Sequence, residues 1–121
     1  MSLILGVVFA GSTADERARR EFGVPEDQPV NAETLATAAS RLIPPGTAEP
    51  DVVRGLQVAG IGRDGLSRYY PPGPDSKGRG VLLIGSDKRF QIVGAEYIVV
   101  FEFDSNRLLR SVTVEKRFVG P

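Results

Sequence analysis

The alternation of apolar and polar residues is most regular between Tyr97 and Phe118, where YIVVFEFD, a polar break at Ser105 and Asn106, and RLLRSVTVEKRF follow one another. In the first segment Tyr97, Val99, Phe101 and Phe103 share one face of an extended chain, and Ile98 and Val100 keep the other face apolar as far as Glu102 and Asp104. Strand side chains alternate with period two, so this segment reads as a central strand covered on both sides. The second segment sets Val112, Val114 and Phe118 against Ser111, Thr113, Glu115 and Arg117, the pattern of an antiparallel strand with one wet face. Asp and Asn tolerate left-handed backbone angles and bond their own main chain, so Asp104, Ser105 and Asn106 close the pair as a tight hairpin.

Upstream the period lengthens to that of helices. Thr13 and Glu16 have the spacing of a capping box, opening a short helix to Phe22 that Gly23 ends. Its body is charged at Arg17, Arg19, Arg20 and Glu21, which predicts a marginal, partly frayed element. After a Pro-rich connector, Asn31 caps a helix through Leu42, with Val30 and Leu35 placed as a hydrophobic staple. Leu35, Ala38, Ala39 and Leu42 form its narrow apolar stripe. Pro44-Pro45-Gly46 stops that helix, and Thr47 starts another with Pro50 in its first turn. Val52, Val53, Leu56 and Ala59 form the buried face of this second helix, and Gly60 ends it. The two make an antiparallel αα-hairpin.

Leu66 to Tyr70 reads as a first strand, PPGPDSKGRG as a breaker-rich turn, Val81 to Ile84 as a second strand and Arg89 to Val93 as a short edge strand. The expected fold is therefore α+β: an αα-hairpin packed on a small antiparallel sheet of three to four strands that ends in a long C-terminal hairpin. Residues 31–121 form this single domain, and residues 15–30 supply the short helix and connector. Leu3 to Ala10 is an apolar run of the length of a signal-peptide core, and about 20 residues are needed to span a bilayer. Residues 1–14 therefore read as a signal-like or lipobox-like segment, with Ser12 where a lipidated Cys would stand, or as a buried strand beside the terminal hairpin.

The 121 residues carry 15 basic and 15 acidic side chains, a formal net charge of zero that gives no electrostatic footprint for nucleic acid. The chain has no His and no Cys. Hydrolase triads built on His are excluded, as are zinc sites of the usual Cys and His ligands, and no disulfide can form. No cofactor, metal or catalytic residue is expected. Gly60-Ile61-Gly62-Arg63-Asp64-Gly65 spells G-x-G-x-x-G, but the dinucleotide fingerprint needs a strand before it and a helix after it, and here the order is reversed. A carboxylate pair for glycoside chemistry would have to come from Glu102 and Glu115 across the terminal hairpin.

The best surface candidates are Tyr69 and Tyr70, which must point to opposite faces of a strand, together with Pro72, Lys77 and Arg79 in the adjoining turn. Surface tyrosine anchors protein partners because it buries a rigid ring and keeps a hydroxyl for hydrogen bonding.

An αα-hairpin introduced by Pro-Pro-Gly-Thr and followed by strands ending in YIVVFEFDSNRLLRSVTV resembles the SmpA/OmlA-type small envelope lipoproteins and the β-lactamase-inhibitor-like α-α-β-β-β proteins. The likeness runs over residues 43–118 and rests on Gly46-Thr47, Phe103-Asp104 and Leu108. It implies a non-enzymatic protein-interaction module of the bacterial envelope, located in the periplasm or, alternatively, the cytoplasm. Membrane association would require export and an anchor, and Ser12 departs from the family's lipidated Cys. An inhibitor or immunity-like protein acting through the Tyr69 to Gly80 loop is the second reading, and a carboxylate-dependent hydrolase the third.

Overall fold

The computed structural model describes residues 13–63, 65–74, 78–85 and 94–119. Residues 1–12 of the expected signal-like segment 1–14, the edge strand at Arg89 to Val93, Asp64 and Lys77 lie outside those residues, while Thr13 and Ala14 of that segment are the cap and first residue of the first helix.

Helix α1 spans Ala14–Phe22 and opens on a complete capping box. The Glu16 amide donates to the Thr13 hydroxyl (3.1 Å) and the Thr13 amide donates to the Glu16 carboxylate (2.9 Å). Gly23, at φ 71°, ends it. The helix runs unbroken from cap to cap. Ala14, Arg17, Ala18 and Phe22 are buried along one stripe, and the helix lies against the sheet and the next helix.

Helix α2 spans Ala32–Leu42 behind an Asn31 cap whose carbonyl oxygen accepts from the Thr34 amide at 2.8 Å. Leu35, Ala38 and Ala39 are buried as the stripe requires, but Leu42 is exposed and Ile43, the C-cap, goes inward instead. Helix α3 spans Glu49–Val58, with Pro50 in the first turn and no side-chain cap. Thr47 is not its start. Its hydroxyl donates to the Pro44 carbonyl (2.6 Å), and its own carbonyl accepts from the Leu109 amide (2.8 Å). Residues 46–48 thus form a short bridge along the start of the last strand.

Strands β1 (Ser67–Tyr70), β2 (Arg79–Ile84), β3 (Gly94–Phe103) and β4 (Leu109–Val119) pair in chain order as an antiparallel meander. This is the expected α+β architecture, with β3 between β2 and β4. At the β3–β4 turn the Asp104 carboxylate accepts from the amides of Asn106 (2.8 Å) and Leu108 (3.0 Å). The left-handed residue is Arg107, at φ 63°, rather than Asn106.

Leu82, Ile84, Tyr97, Val99, Phe101, Phe103 and Leu109 form one core with the buried residues of all three helices, and Val24 and Val30 of the connector join it. The connector is held by Arg19, whose guanidinium donates to the carbonyls of Pro25 and Gln28. Ile98 and Val100, expected to be covered, belong to no such core. They are half-buried, as are Val81 and Leu83 beside them, and the described helices all lie on the opposite face.

Candidate functional site

The outer face of the sheet is built from the strand register. Residues paired across antiparallel strands point the same way, so each set of partners is a row across the sheet. One row runs Arg68, Leu83, Ile98, Glu115 and the next Tyr70, Val81, Val100, Thr113. Arg79, Glu102 and Ser111 form a third, and Glu96 with Arg117 a fourth. The middle of the face is apolar, and its ends are charged.

Most of those charges are already neutralised within the chain. Arg117 donates to Glu96 through Nε at 2.9 Å. Glu102 accepts from Arg110 (3.2 Å) and from the Ser111 hydroxyl (3.3 Å), and Arg79 lies 3.5 Å away. The Arg110 hydrogen bond is the main reason the Glu102 carboxyl is held below its ordinary value; Ser111 and the two arginine charges add to it against an opposing loss of hydration. Arg68 and Glu115, at opposite ends of one row, have no ion-pair partner among the described residues.

Of the residues singled out in the sequence, Tyr70 stands on this face and is 46% exposed. Tyr69 does not reach the surface as an anchor. Its ring meets Phe101 edge-on at 5.9 Å, its hydroxyl presses on Gly80, and that hydroxyl has no hydrogen-bond partner among the described residues. Burial, helped by the charge of Glu49, pushes the Tyr69 hydroxyl up to about 12. Pro72 is half-buried at the rim of a shallow cleft shared with Glu49, Pro74, Gly78, Asp104 and Arg107. Arg79 is exposed and engaged with Glu102.

Glu102 and Glu115 do not form a dyad. Glu102 pairs with Ser111 and Glu115 with Ile98, which separates them by four strand positions. At about 3.4 Å per residue that is about 14 Å, beyond the 5 to 10 Å that glycoside chemistry uses. The described residues of the G-x-G-x-x-G stretch, 60–63 and 65, form turns and a bend between α3 and β1, with Gly60, Gly62 and Gly65 all at positive φ. No group of carboxylates placed to hold a metal occurs among the described residues, nor any helix long and apolar enough to cross a membrane.

Two polar clusters escaped the sequence because their members are far apart in the chain. The Tyr97 hydroxyl donates to Asp15 at 2.6 Å, and Lys116 lies 3.6 Å from the same carboxylate. Burial and the bond to Asp15 raise the Tyr97 hydroxyl well above its ordinary value. At the other end of α1, the Arg17 Nε donates to the Gly85 carbonyl (3.2 Å) and Ser67 donates to Glu21 (3.0 Å).

The fold and this face together define a class: among the described residues, three helices lie on one side of a four-stranded antiparallel meander whose other side is apolar at its centre and carries none of those helices. The chain matches no protein-family model, no curated protein and no solved structure.

Proposed function

We propose that the protein is a non-catalytic interaction module that binds a protein partner through the outer face of its sheet, with Tyr70 as an anchor at one edge. The observation that carries this reading is the apolar centre of Val81, Leu83, Ile98 and Val100, flanked by charges that are mostly paired already. An apolar centre on a sheet face that none of the described helices covers supports this reading. A sheet face of aliphatic side chains suits another protein surface better than a small substrate, which binds in a concave pocket.

The envelope setting implied by the resemblance to the SmpA/OmlA-type proteins is part of the proposal. The periplasm is the proposed compartment. A photo-reactive residue at Tyr70 or Val100, introduced into the full chain in its native cell, should give a discrete adduct with one protein in the envelope fraction. The same residue at Arg54, on the exposed side of α3, should give none. Adducts of equal yield at all three positions, or recovery in the cytoplasmic fraction alone, overturn the reading. The inhibitor alternative places the partner at the cleft beside Pro72 and Pro74, and adducts confined to that loop would favour it.

A further inference from the structure

We propose that the partner of the outer face is a second copy of this chain, in a face-to-face dimer whose two-fold axis runs along the strands between β2 and β3. The inference rests on reading that face as a binding surface. A two-fold contact requires a surface complementary to itself. An axis along the strands keeps each row opposite the same row of the second copy and reverses its order. Arg68, Leu83, Ile98, Glu115 then faces Glu115, Ile98, Leu83, Arg68. Arg68 and Glu115, which have no ion-pair partner among the described residues, each meet their opposite, once at either rim, and aliphatic side chains meet between them.

The neighbouring row obeys the same rule, with Val81 opposite Val100 and Tyr70 opposite Thr113. Glu102 and Glu96 bring their own arginines, so closing the interface strands neither carboxylate. A charge left unpaired on burial would oppose association by several kcal/mol. A formal net charge of zero also removes long-range repulsion between copies. Any other partner would have to supply an acid for Arg68 and a base for Glu115 at the same spacing; a second copy supplies both without further requirement.

Strands about 4.8 Å apart and residues about 3.4 Å apart make the four rows a patch of about 420 Å² per copy, hence about 850 Å² in total. That is below the roughly 1,000 Å² of stable specific interfaces, so the dimer is a weak one that dissociates on dilution. Sheets that pack face to face lie about 10 Å apart and within about 30° of alignment, a span that Arg68 and Glu115 can bridge at the rims.

Sedimentation velocity on the full chain from about 1 µM to 1 mM tests this. Wild type should pass from monomer to dimer across the series. Arg68→Glu alone and Glu115→Arg alone should each weaken association by about tenfold, since each change acts twice in a symmetric pair. An equimolar mixture of those two variants should dimerise, and so should the double variant Arg68→Glu/Glu115→Arg. Circular dichroism matching wild type establishes that each variant is folded, which these exposed positions favour. Wild type that stays monomeric at 1 mM overturns the inference, as does a dimer unaffected by Ile98→Lys or charge variants that fail to rescue one another. If wild type is monomeric while Tyr70 and Val100 still crosslink to a different protein, the self-association fails and the interaction face stands.

Discussion

Gly80 has a side-chain neighbour in place of a side chain: the Tyr69 ring lies over it, and a Cβ there would fall 2.8 Å from the Tyr69 Cζ. Gly80→Ala should therefore unseat Tyr69 from Phe101 and cost about 1–3 kcal/mol in a urea titration. Tyr69→Phe should be neutral or stabilising by up to about 1 kcal/mol, because it removes a buried hydroxyl that bonds to nothing described. The two raised tyrosines also set an alkaline limit. Folding holds the neutral form of Tyr69 and Tyr97 more tightly than the unfolded chain does. That stability is complete below pH about 10 and is lost as pH rises toward the folded values, with a slope of about 1.4 kcal/mol per pH unit for a buried tyrosine. Thermal unfolding across pH 8 to 11.5 should show the decline starting near pH 10. Tyr97→Phe should make it shallower, at the expense of the bond to Asp15 at neutral pH.

Among the elements, α1 departs furthest from its appearance in the sequence. Its capping box and terminal glycine were legible because they are local, and so were the Asn31 cap and the valine–leucine staple of α2. What the pattern could not show is that Arg17 and Glu21 face inward. Arg17 is 1% exposed, beside the Gly85 carbonyl and the Glu21 carboxylate, which lie 68 and 4 residues away in the chain, and Ser67 donates to that same carboxylate. A charged residue on a helix stripe reads as solvent-facing until tertiary structure brings its acceptors. Arg17→Ala should cost about 3–5 kcal/mol, since it leaves inside the fold the Gly85 carbonyl that accepts from its Nε and the Glu21 carboxylate whose charge it offsets. Arg20→Ala, on the exposed side of the same helix, should stay within about 0.5 kcal/mol. Equal effects in a denaturant titration would mean that α1 docks through its apolar residues alone.

At the scale of the whole molecule, β3 presents two apolar faces, and alternation alone does not say which one the helices take. The larger side chains, Tyr97, Phe101 and Phe103, went inward with Val99; Ile98 and Val100 went outward. The register that turns the outer residues into rows depends on the turn at Asp104 and on the irregularity between Glu102 and Phe103, neither of which can be counted off from composition. Neighbouring valines in β3 give a direct test of the asymmetry, because Val→Thr exchanges a methyl for a hydroxyl at nearly constant volume. At Val99, fully buried over the core, the hydroxyl enters an apolar environment and should cost about 1–3 kcal/mol. At Val100 the hydroxyl faces outward beside Thr113, in a strand that accommodates threonine well, so the cost should stay below about 1 kcal/mol at low micromolar concentration, where the monomer prevails. The penalty at Val100 should grow with protein concentration as the second copy covers that face, whereas the penalty at Val99 should not change. A Val100→Thr cost as large as that of Val99→Thr at every concentration would mean that the outer face is covered within a single chain.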